Sequence, residues 1–142
     1  MTSQLNVDTI VDKAGSGGSN VKMANTSTYV SDGGSATQNT VQGLCKAFVV
    51  YGEDTVIDAG SFNMASLTDS ATGQTHQNFT NSFVGAESYT VAISCIPGTD
   101  VAERPRLSSC LAAKTITQNE EVDTSTDRDA DQFHFSAHGD LA

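Results

Sequence analysis

The chain reads as a mainly β protein, and three observations carry that reading. Of its 142 residues, 37% are hydrophobic and only 17% charged, the remainder being dominated by Thr, Ser, Asn, Gln, Gly and Asp. That balance is too apolar for a disordered chain and too poor in Leu, Lys and Glu for a helical bundle. Second, apolar residues alternate where they are densest: Tyr89, Val91, Ile93 and Cys95 share one face, as do Phe133, Phe135 and Ala137. Third, Gly-, Asp- and Ser-rich breaks recur at short intervals between such runs, the punctuation of an antiparallel sandwich. The expected architecture has three parts: an extended β leader over 1–35, a short helical neck over 36–47, and an antiparallel β-sandwich over 48–142. Three chains are expected to pack about a common axis.

The leader opens with "LNVDTIVD" (5–12), in which Leu5, Val7 and Val11 suggest a strand. "GSGG" (15–18) reads as a turn or joint, "NVKMANTSTYV" (20–30) as a thin β segment, and "SDGGS" (31–35) as a second break. These residues cannot bury a core of their own, so the leader is expected to pack against a neighbouring chain. In "TQNTVQGLCKAFVVY" (37–51), Val41, Leu44, Cys45 and Phe48 fall at i, i+3, i+4 and i+7, the stripe of a helix face. Ser35 or Thr37 can cap that helix. Gly43 costs it about 1 kcal/mol relative to Ala, and so short a helix needs partners. Three copies meeting through Val41, Leu44 and Phe48 supply them, with a strand starting near Lys46.

Strands are then expected at 46–51, 55–60, 62–69, 74–80, 88–96, 110–118 and 132–138, with turns at "GED" and "SATG". The segment 97–106 holds both prolines and reads as a loop or a demoted edge.

A formal net charge of −10, with seven basic residues, argues against nucleic-acid binding and against anionic membranes. "MTSQLNVDT" has no basic or apolar signal region, and no apolar run approaches the roughly 20 residues of a bilayer span. The chain therefore reads as soluble and folded in a cytosol. Cys45, Cys95 and Cys110 form no CxxC pair and read as small, buried apolar residues rather than disulfides or zinc ligands.

No motif carries catalytic chemistry. Asp127, Asp129 and Asp131 have the 1, 3, 5 spacing of an EF-hand loop, but Gln132 replaces the required Gly and His138 the terminal Glu. They read as a solvated tip that favours solubility. His134 and His138 lie about 13 Å apart along a straight strand and cannot share an ion there. "GSGGSN" lacks the Lys-Ser/Thr of a phosphate loop, and no spacing pairs a nucleophile with its base. No enzyme activity, cofactor or metal is expected.

The strings "LNVDTIVDKAGSGGSNVKMANTSTYV", "TQNTVQGLCKAFVVY", "FNMASLTDSATGQTHQNFT", "FVGAESYTV" and the final "GDLA" together resemble a family of short phage virion proteins. Its members are described as minor structural or tail-fibre proteins, in phages of marine bacteria. Phe48 stands where the family has Trp, "GEDT" (52–55) replaces its "GTGT", and Ala86-Glu87-Ser88-Tyr89 is one residue longer than its "ANY". Residues 97–138 match nothing in the family's pattern. The resemblance implies a homotrimeric tail fibre or appendage on the virion, made in the host cytoplasm. Residues 1–35 would bind other virion proteins, and the distal knob would meet a host-surface glycan or protein. Candidate recognition residues are Arg104 and Arg106, in an expected loop, and Asp127, Asp129 and Asp131 at the tip. The alternative is a capsid decoration protein that clamps capsid subunits.

Overall fold

A computed structural model describes residues 27–30, 37–41, 43–98 and 102–142. The chain divides into two compact units, Met1–Val41 and Gln42–Ala142. In the first, β1 (Thr28–Val30) and β2 (Thr37–Asn39) pair antiparallel, with Thr28 opposite Asn39 and Val30 opposite Thr37. The Thr40 amide and hydroxyl both donate to the Ser27 carbonyl, at 2.9 and 3.0 Å, and close this ribbon. The expected strand at 5–12 and joint at 15–18 lie outside the described residues.

The second unit is a sandwich of two four-stranded antiparallel sheets. Its strands are β3 (Cys45–Gly52), β4 (Ile57–Phe62), β5 (Met64–Ala71), β6 (Gln74–Phe79), β7 (Tyr89–Ile96), β8 (Glu103–Leu111), β9 (Lys114–Glu121) and β10 (Gln132–Gly139). One sheet runs β4-β3-β10-β7 and the other β5-β6-β9-β8. The chain passes from the first sheet to the second at Asn63, which takes a left-handed φ of 58°. Asn tolerates that conformation better than most residues. Its side chain also accepts from the Asn81 amide (2.7 Å) and donates to the Asn81 carbonyl (3.0 Å), which fixes the corner.

The helical neck expected at 36–47 is corrected: among the described residues of that stretch none is helical. β2 takes Thr37–Asn39, a turn follows, and β3 begins at Cys45. The apolar residues that are buried are Ala47, Val49 and Tyr51, at period two, while Leu44 and Phe48 are exposed. Pairing of β3 with β10 from Cys45↔His138 to Gly52↔Gln132 satisfies its backbone and buries that face. A short helix carrying Gly43 has nothing comparable to set against its nucleation cost. The run expected as one strand over 110–118 is also divided: β8 ends at Leu111, and Ala112 and Ala113 turn the chain into β9. Residues Glu103–Arg106, expected as loop or edge, lie in the edge strand β8, where Pro105 is tolerated because only β9 pairs with it.

Between the sheets, Phe79, Phe83, Tyr89 and Phe135 form the aromatic centre. Phe83 stacks on Tyr89 at 4.1 Å, and Phe79 meets Phe83 edge-on at 5.0 Å. Such pairs add about 0.5–1.5 kcal/mol beyond simple burial. The inner face of the second sheet is largely polar, with Gln77, Thr115, Thr117 and Asn119 all buried. Gln77 Nε2 donates to the Tyr51 hydroxyl (2.8 Å) and to Thr117 Oγ1 (2.7 Å), and the Tyr89 hydroxyl donates to the Leu111 carbonyl (3.0 Å). Two tyrosines rooted in one sheet therefore anchor their polar ends on the other.

Candidate functional site

Charged and polar side chains gather on the outer face of β8 and β9 and on the segment after β9. Alternation along β9 turns Thr115, Thr117 and Asn119 inward, which leaves Gln118 and Glu120 on the opposite face. Arg104 and Arg106 stand across from Glu120 and Gln118 in the β8–β9 register. Arg104 Nη2 lies 3.0 Å from Glu120 Oε2 and Arg106 Nη2 2.7 Å from Glu120 Oε1. The Glu120 side chain is 8% exposed and both arginines are 52% exposed, so one covered carboxylate holds two outward guanidinium groups. Arg104 Nη2 also reaches Ser125 Oγ (3.2 Å), and Arg106 Nη2 reaches Gln118 Oε1 (2.7 Å).

The segment 122–131 folds back on β9. Backbone bonds run from Glu121 N to Thr126 O (2.9 Å) and from Arg128 N to Asn119 O (3.1 Å). Asp127 accepts from Gln118 Nε2 at 2.6 Å, so a continuous chain of bonds joins Arg106, Gln118 and Asp127. Asp129 points elsewhere: its Oδ1 accepts from the Gly73 amide in the β5–β6 turn at 2.6 Å. Asp131 is exposed. The structure thus brings Arg104, Arg106 and Asp127 onto one polar surface and leaves Asp129 and Asp131 apart from it. Among the described residues, no group of three or more His, Cys, Asp or Glu is arranged to hold a metal ion.

A second surface lies on the outer face of the first sheet. Phe48 and Phe62, opposite each other in the β3–β4 register, stack at 6.4 Å and are 40% and 51% exposed. Beside them an open trough of about 470 Å³ runs over Val50, Ala92, Ser94, His134 and Ser136. Leu44 is exposed just before β3 and Val41 is half-buried in the N-terminal unit. Of the expected neck residues, Phe48 is therefore a sheet-face residue.

The histidines stay separate in role: His134 Nε2 lies 3.1 Å from Gln132 Oε1, and His76 Nδ1 lies 3.3 Å from Lys114 Nζ. Desolvation and then the Lys114 charge hold His76 below its ordinary pKa. All three cysteines are free and half-buried rather than fully buried. Desolvation, with Glu103 nearby, pushes the Cys95 thiol up, away from thiolate reactivity.

Glu120, Phe62 and Glu103 are not singled out by sequence reasoning. In "TITQNE" the period-two series Thr115, Thr117 and Asn119 marks the polar buried face of β9, and nothing comparable marks Glu120 on the opposite face. Comparison of the chain with protein-family models, with curated proteins and with solved structures gives no match.

Proposed function

We propose that the protein is a non-catalytic phage virion component, a trimeric tail fibre or appendage that displays its β-sandwich toward a host surface. The observation that carries this reading is the division of the chain. A compact sandwich starts after Val41, and the described part of the preceding unit is a two-stranded ribbon with too few residues for a core of its own. A segment of that kind suits attachment to other virion proteins or to sister chains. The resemblance of 5–96 and of the closing "GDLA" to short virion proteins points the same way. Leu44 and Phe48, both exposed, offer apolar contacts at the start of the sandwich. Arg104, Arg106 and Asp127 offer polar contacts for a host glycan or protein.

Electron microscopy of virions labelled with a gold-tagged antibody against the protein tests the reading. Gold at the tail or at fibre tips is the expected result. Gold spread evenly over the head favours a capsid decoration protein instead, and unlabelled virions contradict both.

A further inference from the structure

On the outer face of the first sheet, residue size alone cuts a depression. Alternation turns Ala47, Val49 and Tyr51 of β3, and Phe133, Phe135 and Ala137 of β10, into the core. The residues between them face outward in two rows that cross the strands. In one row Phe62 stands opposite Phe48, Phe48 opposite Ser136, and Ser136 opposite Ala92. In the other, Val50 stands opposite His134 and His134 opposite Ser94. Two rings on β3 and β4 thus give way to small side chains on β10 and β7, and the step between them is the trough of about 470 Å³. Val49, Ile93 and Phe135 also border it, but their side chains belong to the core.

That volume lies within the roughly 300–1,000 Å³ of small-molecule sites. The chain holds 17 Asp and Glu, yet none of the side chains facing the trough is a carboxylate, an ammonium or a guanidinium. Of the charged residues around it, Asp58 engages Gln132, whose Nε2 donates to it at 3.4 Å, and Lys46 lies in the bulge beyond the Ala47–Ala137 pair. Because that carboxylate only accepts, Gln132 Oε1 is the atom left at 3.1 Å from His134 Nε2, and this nitrogen carries the proton and donates. The imidazole is held in place by that bond. The Ser94 and Ser136 hydroxyls have no hydrogen-bond partner among the described residues.

A charged ligand would lose hydration here and find no opposite charge. A wholly apolar one would cover two hydroxyls and an imidazole and replace none of their water contacts. A neutral saccharide meets both conditions, with its C–H faces against Phe48, Val50 and Ala92 and its hydroxyls paired with Ser94, Ser136 and His134. We infer that this trough binds a neutral oligosaccharide, with Phe48, braced by Phe62, as its apolar wall. The inference deepens the host-contact reading and rests on it for its biological purpose. It places the glycan on the other sheet from Arg104 and Arg106.

An array of neutral hexose and N-acetylhexosamine oligosaccharides, printed beside sialylated and sulfated ones and probed with the labelled full chain, tests it. Retention on neutral spots is the expected result. Phe48→Ala removes the wall and Ser136→Phe fills the trough, and each should lower that retention about tenfold while the β-type circular dichroism is kept. Three results overturn the site: no neutral spot retained, retention on acidic spots alone, or retention that both variants leave unchanged. A full chain that retains no glycan and whose Phe48→Ala variant loses its oligomer assigns this face to self-assembly instead. Gold at the tail without retention removes the site and leaves the virion reading standing, and retention by a chain absent from virions does the reverse.

Discussion

Gly73 shows how a single position can be fixed by its neighbours. It has a left-handed φ of 70°, and a Cβ there would stand 2.6 Å from the Asn119 carbonyl oxygen and 2.8 Å from the Arg128 amide nitrogen. Both obstacles are backbone atoms held by the return of the 122–131 segment. Gly73→Ala is therefore expected to destabilise the protein by about 2–3 kcal/mol, read as a lower urea midpoint with an unchanged slope. The tyrosines give a second expectation. Burial pushes the Tyr89 phenol up to about 12, and desolvation also raises Tyr51. A raised folded pKa means that the folded state keeps its proton after the unfolded chain has lost it. The stabilisation from these phenols is thus complete below the unfolded value near 10 and is lost as pH climbs from there toward about 12. Denaturation series across that window, run on a Tyr29→Phe variant because Tyr29 is exposed, should show stability falling while the tyrosinate absorbance of Tyr51 and Tyr89 stays low until the chain unfolds.

Strand by strand, legibility in the sequence follows the chemistry of the buried face. β7 and β10 alternate apolar and polar residues because one side of each packs on the core, so both are readable almost to their ends. β3 is ambiguous because exposed Leu44 and Phe48 complete a helical stripe, while the buried set Ala47, Val49 and Tyr51 begins with a residue as small as alanine. β9 buries Thr115, Thr117 and Asn119, which hydrophobicity cannot mark, and its hairpin to β8 turns on two alanines in place of Gly, Asn or Pro. Of the candidate site, the arginines and aspartates can be named from sequence but not their arrangement, since Glu120 gathers Arg104 and Arg106 only through cross-strand register. The phase of β3 is open to direct test by two substitutions. Val49→Ala should cost about 2 kcal/mol, whereas Phe48→Ala should change the stability of the isolated sandwich by less than about 1 kcal/mol. If Phe48 proves the costlier of the two, β3 has the opposite face buried.

Across the whole chain, folding and assembly divide between the two units in the proposed reading. The sandwich has its own aromatic centre and its own polar ties between sheets, so Gln42–Ala142 holds what it needs to fold alone. No such centre lies among the described residues of the N-terminal unit, and in the proposed assembly sister chains or other virion proteins would supply its contacts. In the proposed trimer, closed three-fold symmetry would let such contacts end in a defined particle rather than a filament. Light scattering coupled to size exclusion, applied to the full chain and to 42–142, tests this most directly. The full chain should elute at three times its 14.8 kDa mass, and 42–142 as a folded monomer with β-type circular dichroism. A full chain that remains monomeric at micromolar concentration would contradict the proposed trimeric assembly.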